Sequence, residues 1–175
     1  MVKKVIGSGT IDLLLGSDHR GESLKREIMD WIFLDKEDMA PYEIMMSGNT
    51  YDPPIAVMYD VGTYDNKKKC DYPNIVKKFA NHFDIYSHGI LICGSGFGVC
   101  IAANRFKNIR AVVCRDRYDV EVARQHNNMN VMCLGADYTD IDTAKYLIED
   151  FINTKFEGGR HQKRVNMLKR IQISL

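Results

Sequence analysis

Short apolar runs rich in Val, Ile and Leu recur along the chain at residues 11–15, 55–60, 89–93, 110–114 and 130–134. Each is too short for a stable helix and is bounded by turn residues or charges, which predicts five buried strands. Between and after them, apolar residues repeat at helical spacing: Leu24, Ile28 and Trp31; Ile75, Phe79 and Phe83; Val120 and Ala123; Ile141, Ala144, Leu147 and Ile148. Residues three and four apart share one helix face, so these stretches predict amphipathic helices. Pro73 suits a first helical position, and Asp140 or Asp142 can cap the helix that follows them. Strands that are apolar throughout need cover on both faces. The expected fold is therefore α/β, a three-layer α/β/α sandwich around a five-stranded parallel sheet, Rossmann-like in type.

The 175 residues suit one domain, 1–175, closed by a helix from about residue 160. In that tail Gly158 and Gly159 break the chain before Val165, Leu168 and Ile171, with Arg160 and Arg164 one turn apart. Residues 37–54 hold Pro41, Gly48, Asn49, Pro53 and Pro54 and predict a long loop. Twenty-four Lys and Arg against 23 Asp and Glu leave a net charge of +1, too small a field to draw the chain onto nucleic acid or an anionic membrane. No apolar run approaches the ~18 residues of a membrane span. Five cysteines, an odd number without CxxC spacing, argue against a disulfide framework or a structural zinc site. A reducing, cytoplasmic setting is expected.

Ligands of open parallel sheets bind beyond the carboxyl ends of the strands. After the first run stand Gly16, Ser17, Asp18, His19, Arg20 and Gly21; after the third, Cys93, Gly94, Ser95, Gly96, Phe97 and Gly98; before the fifth, Arg124, Gln125, His126 and Asn127. An acid, a thiol and two imidazoles are thus expected to meet at one edge. Glycines let a loop turn tightly and aim successive N–H groups at one spot, an anion hole. A cysteine just before such a loop is favoured as thiolate, hence a candidate base or nucleophile. The bland alternative is a strand-ending cysteine before a tight turn. Gly94, Gly96 and Gly98 also resemble part of a dinucleotide fingerprint, with Asp116 near the expected ~20-residue distance. There the third glycine comes one residue early, and Cys93 has no role. Arg160 and Arg164 could clamp a phosphate or simply form a solvated basic end. His19 and His126, taken singly, are as readily structural.

Together these residues resemble the type B ribose-5-phosphate isomerases of the ribose/galactose isomerase family, over most of the chain. The likeness rests on Gly16-Ser17-Asp18-His19, Asp60-Val61-Gly62-Thr63, Asp71-Tyr72-Pro73, the 89–96 run through Cys93, Ala102-Ala103-Asn104, Arg124-Gln125-His126-Asn127 and the 158–164 block. It implies an aldose–ketose isomerase that interconverts ribose 5-phosphate and ribulose 5-phosphate through an enediolate, without metal or cofactor. Cys93 would be the base, the N–H groups around Gly94, Ser95, Gly96 and Gly98 would hold the enediolate oxygen, and the Ser95 hydroxyl would help move protons. By the same resemblance His126 opens the sugar ring and Asp18 and Asn127 bind sugar oxygens. Tyr72 packs near the base, and His19, Arg160 and Arg164 take the phosphate. A homodimer, or a tetramer of paired dimers, is implied, with His126 and Asn127 reaching the cysteine site of the neighbouring subunit.

Two alternatives remain at this level. One is isomerisation of a six-carbon phosphosugar such as allose or galactose 6-phosphate, and the other is a non-catalytic phosphosugar- or nucleotide-binding protein that uses the same glycine loop. One departure from the family stands out: Asp137 occupies a position where an arginine is usual. A carboxylate near a phosphate weakens binding, so Asp137 is expected to point away or to be offset by a cation such as Arg117.

Overall fold

A computed structural model describes residues 3–6, 11–33, 55–83, 87–168 and 170–171, so the loop expected at 37–54 lies outside the described residues. Among these, one sheet is built from β1 (Lys3–Ile6), β2 (Ile11–Ser17), β3 (Ile55–Asp60), β4 (His88–Cys93), β5 (Ala111–Val113) and β6 (Val131–Gly135). Their order across the sheet is β1-β3-β2-β4-β6-β5. The five expected strands run parallel. A sixth, β1, adds to the edge and pairs antiparallel with β3 from Lys3↔Asp60 to Ile6↔Val57. Two lysines in four residues hide it from a search for apolar runs, yet lysine is what exposed sheet edges commonly carry.

The helices are α1 (Glu22–Phe33), α2 (Tyr72–Phe83), α3 (Phe97–Ala103), α4 (Arg117–Asn127), α5 (Ile141–Asn153) and α6 (Gly159–Leu168). Alternation along each strand divides the core in two. Leu13, Leu15, Ile90, Ile92, Met132 and Leu134 face α1, α4 and α5, where Leu24, Ile28, Val120, Leu147 and Phe151 cover them. Leu14, Leu91, Cys93, Val131 and Cys133 face the other way, under Val76, Phe79 and Phe83 of α2 and Val99 and Ala103 of α3. Each fully buried aliphatic side chain contributes about 1.5–3 kcal/mol relative to exposure.

Asp140 rather than Asp142 caps α5, accepting from Thr143 N–H at 2.7 Å. Asp116 caps α4 through Asp119 N–H at 2.9 Å. This structural role removes it from the dinucleotide scheme. In α6 only Val165 of the expected stripe is buried; the helix ends at Leu168, and Leu168 and Ile171 are exposed. The chain after β2 turns to one face through α1 and the chain after β4 to the other through α3. The carboxyl ends of these adjacent strands therefore flank a crevice, where open α/β sheets bind ligands.

Candidate active site

At the carboxyl edge, main-chain bonds assemble the site. Asp18 N–H donates to Ile92 O at 3.1 Å, tying the end of β2 to β4. Asp18 is buried, and its Oδ1 accepts from the N–H groups of Arg20 (2.9 Å) and Gly21 (3.1 Å), closing the turn into α1. Beside it, Ser17 N–H donates to Gly62 O and Thr63 N–H to Ser17 O, both at 2.7 Å. That loop is anchored from below by Lys25, which is 2% exposed. Its Nζ donates to Asp60 Oδ1 (2.8 Å), Asp60 Oδ2 (2.9 Å) and Thr63 O (2.5 Å). His19 Nδ1 lies 3.3 Å from both the amide nitrogen and the carbonyl oxygen of Cys70, which holds the ring over the 61–71 segment.

Cys93 ends β4 at 4% exposure, and its Sγ accepts from Gly96 N–H at 3.2 Å. The sulfur therefore faces the glycine loop, not away from it. Gly96 sits at φ 77°, a left-handed turn that glycine adopts without penalty. Gly98 has a different reason: a Cβ there would come within 2.9 Å of the Tyr72 ring. Asp18, tied to Ile92, and Tyr72, whose ring lies over Gly98, thus flank the β4 end and glycine loop that carry Cys93. Helix α3, at seven residues, adds little dipole, so the loop N–H groups rather than a helix terminus face the sulfur.

The offset for Asp137 comes from Arg20 and not from Arg117. Arg20 Nη2 donates to Asp137 Oδ1 (2.7 Å) and Oδ2 (2.6 Å), with the guanidinium lying against Gly94. Arg117 is forked onto Asp150 instead, with both bonds at 2.6 Å.

His126, Asn127, Arg160 and Arg164 do not join this group within the chain, which corrects the expectation that acid, thiol and both imidazoles meet at one edge. Helices of a parallel sheet run back along it, so the end of α4 returns to the amino edge. There Asn130 O accepts from Gly89 N–H at 2.9 Å. From Gly89 to Cys93 the strand advances about 13 Å at ~3.3 Å per residue. The His126 ring stacks on His161, which α6 buries, with centroids 4.2 Å apart and planes 2° from parallel. Glu157 Oε2 lies 3.9 Å from His126 Nε2 and 3.7 Å from His161 Nε2. Arg160 Nε donates to His161 Nε2 at 3.2 Å. Burial, then the neighbouring His126 and Arg160, hold the His161 imidazole below its ordinary value. Asn127, Arg160 and Arg164 are exposed.

These two imidazoles and one carboxylate have ligand atoms within 4.8 Å of one another. A metal must lie in the plane of each imidazole it binds, and two parallel stacked planes do not intersect. As arranged, the trio is not a metal centre.

Of the remaining cysteines, Cys70, expected to be exposed between its lysines and Asp71, is half-buried, and Cys114 and Cys133, expected to be buried, are buried. Cys100, expected to be buried, is half-buried. A hydrogen bond from Cys133 draws its thiol down to about 7 against the opposing effect of burial.

The model of the Ribose/Galactose Isomerase family matches residues 13–168. The chain belongs to this family. It is 37% identical over 158 residues to a putative sugar phosphate isomerase of Rickettsia bellii, covering 89% of this chain and 96% of that one. Ribose-5-phosphate isomerase B of Escherichia coli is 39% identical over 115 residues, 65% of this chain and 76% of the relative. Among solved structures, ribose-5-phosphate isomerase B of Mycoplasma genitalium with bound ribulose 5-phosphate superposes with a TM-score of 0.70 at 29% identity, covering 93% and 97% of the two chains. The family assignment makes the chain an aldose–ketose isomerase. No helix among the described residues is long and apolar enough to cross a membrane.

Proposed function

We propose that this family member interconverts ribose 5-phosphate and ribulose 5-phosphate, with residues 1–175 acting as one isomerase domain and two copies sharing each active site. The observation that carries the reading is the Cys93 sulfur turned onto the glycine loop at 3.2 Å from Gly96 N–H. Moving the carbonyl from C1 to C2 means taking the proton from C2, holding the enediolate, and returning a proton to C1. The Cys93 thiolate removes and returns that proton. Loop N–H groups of Gly94, Ser95 and Gly98 stabilise the negative oxygen as it forms, and the Ser95 hydroxyl passes the proton between O2 and O1. Asp18 accepts sugar hydroxyls through Oδ2, and Tyr72 walls the base. His19 meets the phosphate, whose binding energy aligns C1 and C2 against the sulfur.

The distance between the two edges supports a shared site. His126 and Asn127 cannot reach Cys93 of their own chain, so a neighbour would supply ring opening and, through Arg160 and Arg164, phosphate binding. A groove of about 940 Å³ lined by Phe106, Ile109, Asn127, Val165, Leu168 and Ile171 offers the surface. Phe97 and Ile101 on α3, 48% and 63% exposed, offer its apolar complement beside the glycine loop. A two-fold pairing of one with the other carries His126 to Cys93 of the partner subunit. Five free thiols support a reducing compartment, the cytoplasm.

The test is a turnover assay with ribose 5-phosphate and with six-carbon phosphosugars, with and without a chelator. Turnover preferring ribose 5-phosphate and indifferent to the chelator is expected. A preference for a six-carbon substrate overturns the substrate assignment, and loss on chelation overturns the metal-free mechanism.

A further inference from the structure

The glycine loop is held by its carbonyls. Three consecutive oxygens, on Cys93, Gly94 and Ser95, accept from three consecutive residues of the turn after β6. The donors are Ala136 N–H (2.9 Å), Asp137 N–H (3.0 Å) and the Tyr138 hydroxyl. In a trans peptide the C=O and the following N–H point in opposite directions. Fixing these oxygens against the turn therefore aims the N–H groups of Gly94, Ser95 and Gly96 away from it. The Ser95–Gly96 peptide carries two bonds at once, with the phenol on its oxygen and the Cys93 sulfur on its N–H. A hydrogen bond at an amide oxygen polarises the amide and strengthens its N–H as a donor.

We infer that Tyr138 is a positioning residue for Cys93: its hydroxyl orients and polarises the Ser95–Gly96 peptide, whose N–H in turn stabilises the thiolate. This rests on the reading of Cys93 as the base. Tyr138 is itself well placed for the task. Its ring covers Gly135, where a Cβ would collide with it, and Arg115 lies 5.2 Å from the ring centroid and 5.0 Å from that of Phe97. Among the described residues, the charged and titratable groups around this unit include Arg115 on the segment after β5, the Arg20–Asp137 pair from the turns after β2 and β6, Asp18 beside Ile92, and Tyr72 of α2 over Gly98. On the strand side, Cys93 meets Cys133 of β6, a thiol that burial keeps protonated.

Tyr138→Phe removes the hydroxyl and leaves the ring over Gly135. Its kcat for ribose 5-phosphate should fall about three- to tenfold, the scale of one hydrogen bond, with KM changed less than twofold. The rate of Cys93 alkylation by iodoacetamide, followed by peptide mass spectrometry, should shift to higher pH than in the wild type. Tyr138→Leu should show the same alkaline displacement. An alkylation curve unmoved in Tyr138→Phe overturns the inference, even if turnover drops. Should the wild type fail to isomerise ribose 5-phosphate, the substrate reading fails, while the alkylation curve still decides the role of Tyr138.

Discussion

At the carboxyl edge the loops after the strands are stitched to one another through several main-chain bonds, whereas at the amino edge a main-chain bond from Glu157 N–H to Gln125 O accompanies side-chain contacts among His126, His161, Glu157 and Arg160, from α4, α6 and the segment between α5 and α6. The first arrangement holds the Cys93 sulfur 3.2 Å from the Gly96 amide nitrogen. The second leaves Arg160 and Arg164 exposed and His126 half-buried. The contrast teaches that the candidate residues fall into two separate halves, Cys93 with the glycine loop at one edge and His126 with the arginines at the other.

The largest effects should come from breaking both halves. Cys93→Ala should lower turnover by about 10³-fold or more while binding of the sugar phosphate, measured by calorimetry, changes little. Mixing Cys93→Ala with His126→Ala subunits should restore up to about a quarter of wild-type activity, since half the random dimers hold one intact site. No recovery after proven exchange would place both halves of the site in one chain, against the 13 Å scale of the strand.

Next comes the foundation of the carboxyl edge. Lys25→Met strands the Asp60 carboxylate in the core and should cost about 3–5 kcal/mol in urea unfolding. Adding Asp60→Leu should return much of that loss. If the single variant unfolds like wild type, the ion pair does not anchor the loop beside Ser17.

The amino edge should answer to pH. His88 opens β4 against Phe151, and burial, with Arg124 nearby, lowers its pKa from 6.5 to about 4. The folded chain thus keeps it neutral where the unfolded chain takes up a proton. The resulting stability is complete above pH 6.5 and is lost as pH falls toward 4, a term on the order of 3 kcal/mol. His88→Gln should flatten this dependence in thermal melts across that window, and an unchanged slope would remove the term.

The smallest effect belongs to Arg20 and Asp137. They are 56% and 44% exposed, so a double-mutant cycle with alanine should give at most about 1 kcal/mol, shrinking with salt. A larger, salt-insensitive coupling would mean that the pair is shielded, as it would be under a partner subunit.

The five parallel strands, both helix layers and the thiol before a glycine loop were legible because each follows from local spacing: apolar runs of strand length, stripes at helical period, and glycines where a loop must turn. Strand β1 was not, since its lysines answer to an edge created by β3. Nor were the Arg20–Asp137 pair and the Tyr138 bond to Ser95. They join residues 117 and 43 positions apart, and only strand order brings those turns together. The amino acid sequence by itself determined which chemistry the chain carries, through residue types at short range. Tertiary structure decided where that chemistry meets. A parallel sheet sends loops after strands to one edge and helix ends to the other, and only the order of the strands sets which of those loops lie side by side.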